Sequence, residues 1–113
     1  MSSPAAPSYP YAGPDAWRQP IDTALRRVVD PEIAMSIVDV GLVYGVAVTA
    51  GRWQVVMTMT SAACPATELI LEDVETELAR IAPGGTVVDI ELVWEPAWST
   101  DRMSQRAKQL MGW

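Results

Sequence analysis

Two valine-rich runs separated by one tight turn constrain this chain most. Leu42 to Thr49 leads into Ala50-Gly51, and Arg52 to Thr60 then alternates. Trp53, Val55, Met57 and Met59 fall on one side, while Gln54, Thr58 and Thr60 fall on the other. Successive side chains on a strand point to opposite faces, so two such runs around a glycine-containing turn specify a β-hairpin. An apolar sheet face has to be covered, and the rest of the chain must supply the cover.

Helical spacing provides it. Ile21, Ala24, Leu25, Val28 and Val29 define one buried face of a helix starting near Pro20 and ending at Asp30-Pro31. Glu32 to Gly41 is a connection with a short turn around Ser36 to Asp39. A second helix is predicted from Pro65 to about Ile81, with Leu71, Val74, Leu78 and Ile81 as its core stripe. Glu68, Glu72, Glu75 and Glu77 lie mostly outside, and Ala82-Pro83-Gly84-Gly85 stops it. Thr86 to Trp94 is a third strand, with Val88, Ile90, Leu92 and Trp94 on one face. Asp101 to Met111 forms a closing helix capped by Ser99, Thr100 or Asp101.

The helix between the second and third strands makes those strands parallel, with a right-handed crossover. The expected architecture is α+β in two layers. Its small three-stranded mixed sheet combines the hairpin with one strand reached through a helix crossover, and helices pack on one face. Residues 1–15, with Pro4, Pro7, Pro10 and Pro14, are expected to form a flexible tail, and residues 16–113 a single domain.

Charge narrows the classes of partner. Eight basic against fourteen acidic residues give a net charge of -6, and the basic residues build no stripe. Electrostatic binding to nucleic acid or to an anionic membrane is therefore excluded as an expectation. Met1 to Pro14 lacks a basic region followed by an apolar core, so no secretory signal is expected and the default location is cytoplasmic.

Chemistry is confined by what is missing. The chain has no histidine and a single cysteine, Cys64, which excludes an internal disulfide, a histidine-dependent triad and a Cys/His zinc site within one chain. A four-thiolate iron–sulfur site is excluded on the same count. Cys64 stands where a strand ends and a helix begins at Pro65, and helix-end amides and the helix dipole favour thiolate there. Thr60 and Ser61 lead into it and offer hydroxyls to a thiolate or ligand. A small apolar residue at a helix start explains Cys64 equally well. Asp30 and Glu32 flank Pro31 in an acidic turn, most simply a helix stop, and Asp39 is most simply a turn residue. Trp94 and Trp98 around Pro96 are aromatics of a core or an interface.

Taken together, these segments resemble the MIP18 family, also known as DUF59, of SufT-like iron–sulfur assembly domains. The likeness rests on Asp30-Pro31-Glu32, the run Ile37 to Tyr44, and Met57 to Thr60 followed by Cys64-Pro65. It continues through Val93 to Ser99, Met103-Ser104 and Ala107 to Gly112. A more distant similarity is to PaaD-like proteins of phenylacetyl-CoA oxygenation. Those carry a cysteine-rich extension, and this chain stops at Trp113 without one.

The resemblance implies an accessory factor in maturing iron–sulfur proteins rather than an enzyme with catalytic residues. It implies that Cys64 is the reactive cysteine, with Asp30, Glu32, Thr60 and Ser61 in support. With one thiol per chain, iron or a cluster is not held stably by a monomer. It is contacted transiently through Cys64 and shared across a homodimer or with the assembly machinery and its clients. A competing reading makes the chain an interaction adaptor, such as an accessory factor of a multicomponent oxygenase, that binds partners through Trp94, Glu95 and Trp98 without thiol chemistry. A thiol-dependent enzyme fits less well, because proton transfer would fall to carboxylates alone.

Overall fold

The computed structural model describes residues 9–60 and 66–112, without the side chain of Met111. The hairpin is present as β2 (Val43–Thr49) and β3 (Arg52–Met57), paired antiparallel with Val46 opposite Val55 and Val48 opposite Trp53. Gly51, at φ +82°, makes the turn between them. Trp53, Val55 and Met57 are all buried, so the alternation points as expected.

A third strand, β4 (Val87–Leu92), joins β3 in parallel, with Val55 opposite Ile90. Helix α3 (Thr67–Ile81) bridges the two, since parallel neighbours need a crossover. Its described start is Thr67; the expected start at Pro65 lies outside the described residues. Ile70, Val74 and Leu78 are its buried residues, and Leu71 and Ile81 are only half-buried. Val74 and Leu78 are thus buried as expected, and Ile70 takes the place of Leu71 in the stripe.

Among the described residues the main sheet has four strands, not three. β1 (Tyr11–Ala12) lies parallel to β2, with Tyr11 opposite Val46, so the strand order is β1-β2-β3-β4. The segment expected as tail therefore packs from residue 9 onward. Tyr9 is buried, and the Pro10 carbonyl accepts the Val46 amide at 3.0 Å. Prolines are tolerated here because an edge strand needs few donors of its own.

Helix α1 (Asp15–Arg26) begins five residues before Pro20, which lies inside it, and it stops before Asp30. Trp17 packs edge-on against Trp53, with ring centroids 4.9 Å apart, and Ile21, Ala24 and Leu25 are buried. Val29–Asp30 and Met35–Ser36 form a separate two-stranded ribbon, followed by the single-turn helix α2 (Ile37–Val40). At the carboxyl end, a 3-10 turn at Thr100–Arg102 precedes α4 (Gln105–Met111). Ser104 is the cap of that helix, accepting the Ala107 amide at 3.0 Å, and it displaces Ser99, Thr100 and Asp101 from that role.

Tyr9 ties the amino-terminal segment to α1. Its hydroxyl donates to Asp22 Oδ1 at 2.8 Å, and Arg26 Nε donates to Asp22 Oδ2 at 2.8 Å. Burial first, and then the hydrogen bond to the Asp22 carboxylate, raise the Tyr9 pKa far above the ordinary value. An unfolded tyrosine ionises near pH 10, whereas folded Tyr9 keeps its proton. Its contribution is fully present below about pH 10 and is lost above it, at about 1.4 kcal/mol per pH unit. Tyr9→Phe should therefore lose less stability than wild type between about pH 9 and 11 in urea melts. Equal alkaline slopes would contradict the assignment.

Candidate functional site

The segment from Ser36 to Tyr44 organises the end of the sheet toward which the chain runs before Cys64. Ser36 caps α2: its hydroxyl accepts the Asp39 amide at 3.1 Å and donates to Asp39 Oδ2 at 3.0 Å. Gly41 ends the helix in the left-handed region at φ +84°, sending its amide back to Ile37 and Val38. The Leu42 carbonyl then accepts the Thr58 amide at 2.8 Å, so the hairpin starts directly from the helix stop.

The carboxyl-terminal segment is fastened to this same stretch. Trp98 Nε1 donates to the Val40 carbonyl at 2.8 Å, and the Tyr44 hydroxyl donates to the Pro96 carbonyl at 2.6 Å. Ser104 meets Asp39 twice, through its amide to the Asp39 carbonyl and its hydroxyl to Oδ1 at 2.9 Å. The Arg102 guanidinium lies 4.2 Å from the centroid of the Tyr44 ring. Asp39 also faces Arg26 at 3.7 Å, which links this end to the Tyr9–Asp22 pair. Asp39 is thus the junction of three chain segments and not merely a turn residue. The Ser-x-x-Asp spacing of a helix cap was its only signal in the sequence.

Asp30 is buried, and its Oδ1 accepts the Glu32 amide at 2.9 Å. Its carbonyl receives the Ala34 amide at 2.7 Å, and Ala34 sits at φ +63°. Glu32 is exposed on the same turn, available to solvent or a partner. Asp30 therefore shapes the turn that presents Glu32. Thr60 is half-buried just beyond β3. Among the described residues, no hydrogen bond or ion pair links Thr60 to Asp30 or Glu32. Ser61 and Cys64 lie outside the described residues. Among the described residues, no three Cys, Asp or Glu side chains converge to hold a metal ion.

Trp94 is 43% exposed and Glu95 is exposed, while Trp98 is half-buried with its indole donor engaged. Among the described residues, Trp94 and Glu95 present exposed side chains, whereas the Trp98 indole donor is engaged.

Thr58 is 1% exposed, and among the described residues its Oγ1 has no hydrogen-bond partner. A buried polar atom left unpaired costs about 1–3 kcal/mol, and an isosteric valine removes that cost. Thr58→Val should raise stability by roughly 1 kcal/mol, seen as a higher urea midpoint. A lower midpoint would show that the hydroxyl is satisfied in solution.

Sheet, helices and carboxyl-terminal clasp define a small α+β domain with a single thiol and no assembled metal centre among the described residues. The chain belongs to the family of iron–sulfur cluster assembly proteins, whose model matches residues 18–92. It is 38% identical over 99 residues to the Fe-S protein maturation auxiliary factor YitW of Bacillus subtilis, covering 87% of this chain and 96% of that one. It is 43% identical over 86 residues to the Fe-S protein maturation auxiliary factor SufT of Staphylococcus aureus, covering 75% of this chain and 97% of that one. Among solved structures, a DUF59 domain from Bacillus anthracis superposes with a TM-score of 0.79 at 37% identity, covering 87% and 93% of the two chains.

Proposed function

We propose that this chain is an auxiliary factor of iron–sulfur protein maturation in the cytoplasm, handling iron, sulfur or a cluster as cargo through Cys64. The observation that carries the reading is the donor inventory: one thiol and no histidine in a member of this family. Thiolate is the ligand that iron–sulfur clusters require, and one per chain is too few to keep a cluster. The same count supports transient contact, with the remaining ligands coming from a second copy, the assembly machinery or a client.

Local chemistry supports a thiolate at Cys64, because α3 begins three residues further along the chain at Thr67. Helix-start amides and the positive end of the dipole lower a nearby thiol's pKa. Glu32, exposed on the turn that Asp30 shapes, offers a hard oxygen donor or a contact for a partner. The role is accessory and not enzymatic: no step in it needs a general base, and the chain has no histidine to act as one near neutral pH.

The test compares wild type with Cys64→Ser, each as the sole copy, in supporting maturation of iron–sulfur clients. The serine variant is expected to fail, and equal support would overturn the thiol mechanism. The adaptor reading keeps one favourable observation, the exposed Trp94 beside exposed Glu95. It expects Cys64→Ser to work normally and Trp94→Ala to lose partner capture.

A further inference from the structure

We infer that the free edge of β4 is a docking site for an extended partner segment carrying basic side chains at alternate positions, which adds as a fifth strand to the sheet. β4 ends the strand order, and among the described residues β3 is its only neighbour. The Val87 amide points to the Gly51 carbonyl and the Val93 amide to the Met57 carbonyl, so the odd-numbered residues face β3. In a strand, the amide and carbonyl of the intervening residues point the other way. Val88, Ile90 and Leu92 thus turn their backbone groups outward, and among the described residues nothing pairs with them. Three unpaired donors and three unpaired acceptors in a row form a template for strand addition.

Side chains on the two faces specify the occupant. Val88, Ile90 and Leu92 are half-buried on the helix-covered face, so an added strand with apolar residues there would complete their cover. On the opposite face stand Asp89 and Glu91. Asp89 is already paired with Arg52, whereas among the described residues the exposed Glu91 side chain has no ion pair or hydrogen bond. Directly opposed residues on neighbouring strands have Cβ atoms about 4.5–5.5 Å apart, close enough for opposite charges to attract and like charges to repel.

That distance also argues against a second copy of this chain. Antiparallel self-pairing centred on β4 must keep the helix-covered faces together, so only in-phase registers are allowed. Centring on Asp89 opposes Asp89 to its own copy, and centring on Glu91 does the same for Glu91. Centring on Ile90 opposes Asp89 to Glu91 twice. The two registers that pair most of β4, centred on Asp89 and on Ile90, thus set carboxylate against carboxylate, whereas a strand with lysine or arginine at those positions meets complementary charge.

The experiment uses the full chain and a capped eight-residue peptide alternating lysine and valine, with a glutamate-valine peptide as control. Binding is read by amide hydrogen exchange in NMR spectra. The lysine peptide is expected to slow exchange at Val88, Ile90 and Leu92, with little change at Val87, Asp89 and Glu91, which already face β3. Glu91→Lys should weaken that protection at least several-fold, while Thr76→Lys, the addition of a positive charge on the exposed side of α3, should not. Cys64→Ser should bind the peptide like wild type, which separates this surface from the thiol mechanism. The inference is overturned if the lysine peptide fails to protect these three amides, or if the glutamate peptide protects them equally. It also fails if they are already protected in a concentration-dependent manner without peptide, because the occupant is then a second copy.

Discussion

Gly41→Ala unfolds most of the protein at moderate denaturant, the largest stability loss expected of any single methyl group in this fold. Two costs coincide at this position. A residue with a Cβ at φ +84° bears a left-handed backbone penalty of about 1–3 kcal/mol. The added Cβ would also stand 2.1 Å from the Arg102 carbonyl oxygen, a backbone atom that cannot rotate away. Relief requires the Thr100–Arg102 turn to move, and that movement strains the two Ser104–Asp39 hydrogen bonds and the Arg102–Tyr44 contact. At about 1 kcal/mol for each lost bond, the total reaches roughly 3–5 kcal/mol. A small domain has about 5–15 kcal/mol in all. Urea melts should show the midpoint falling by about a third or more, while Gly84→Ala, on an open turn with nothing near its Cβ, changes little. Equal midpoints for the two variants would contradict the packing of residues 100–104 against α2.

Cys64→Ser is expected to have the opposite profile, with near-native stability and no maturation activity. A hydroxyl is nearly isosteric with a thiol, but it stays protonated where a thiolate is needed and is a poor ligand for iron in a cluster. Loss of outer partners of a metal ligand typically costs 10–100-fold in affinity or activity. Loss of the donor itself should cost more than about 100-fold, since no second thiol in the chain can replace it. Client maturation in cells and cluster transfer in anaerobic assays should fall together, with the melting curve unmoved. A variant that keeps transfer in both assays would shift the role of the family fold toward partner contact alone.

These two sites were unequally legible in the sequence. The hairpin and the parallel β4 follow from alternation, because a one-residue slip would turn Trp53, Val55 and Met57 to the solvent. β1 was hidden by composition. The prolines on either side of it, Pro10 and Pro14, read as disorder, yet pairing with β2 uses the Pro10 carbonyl, which proline retains. The start of α1 is ambiguous in the sequence for a related reason: Pro20 suits a first turn, but it also fits inside a helix that begins at Asp15. The shift from Leu71 to Ile70 on α3 reflects two adjacent apolar residues between which periodicity alone does not choose. Asp22 and Asp39 were unreadable as a pair, since only the folded chain brings both to Arg26. Cys64 stands out by inventory alone, as the single thiol of the chain, and lies outside the described residues.

The clasp between the carboxyl-terminal segment and α2 bears on where this domain can be cut. The stretch recognised by the family model, 18–92, stops short of Trp98, Ser104 and buried Ala107, and starts after buried Tyr9. A fragment trimmed to those limits would bare the Val40 carbonyl, orphan the Asp22 carboxylate from Tyr9 and strip the edge of β2. Anyone isolating the domain for binding work should keep both flanks, because the smallest cooperative unit is longer than its recognisable signature.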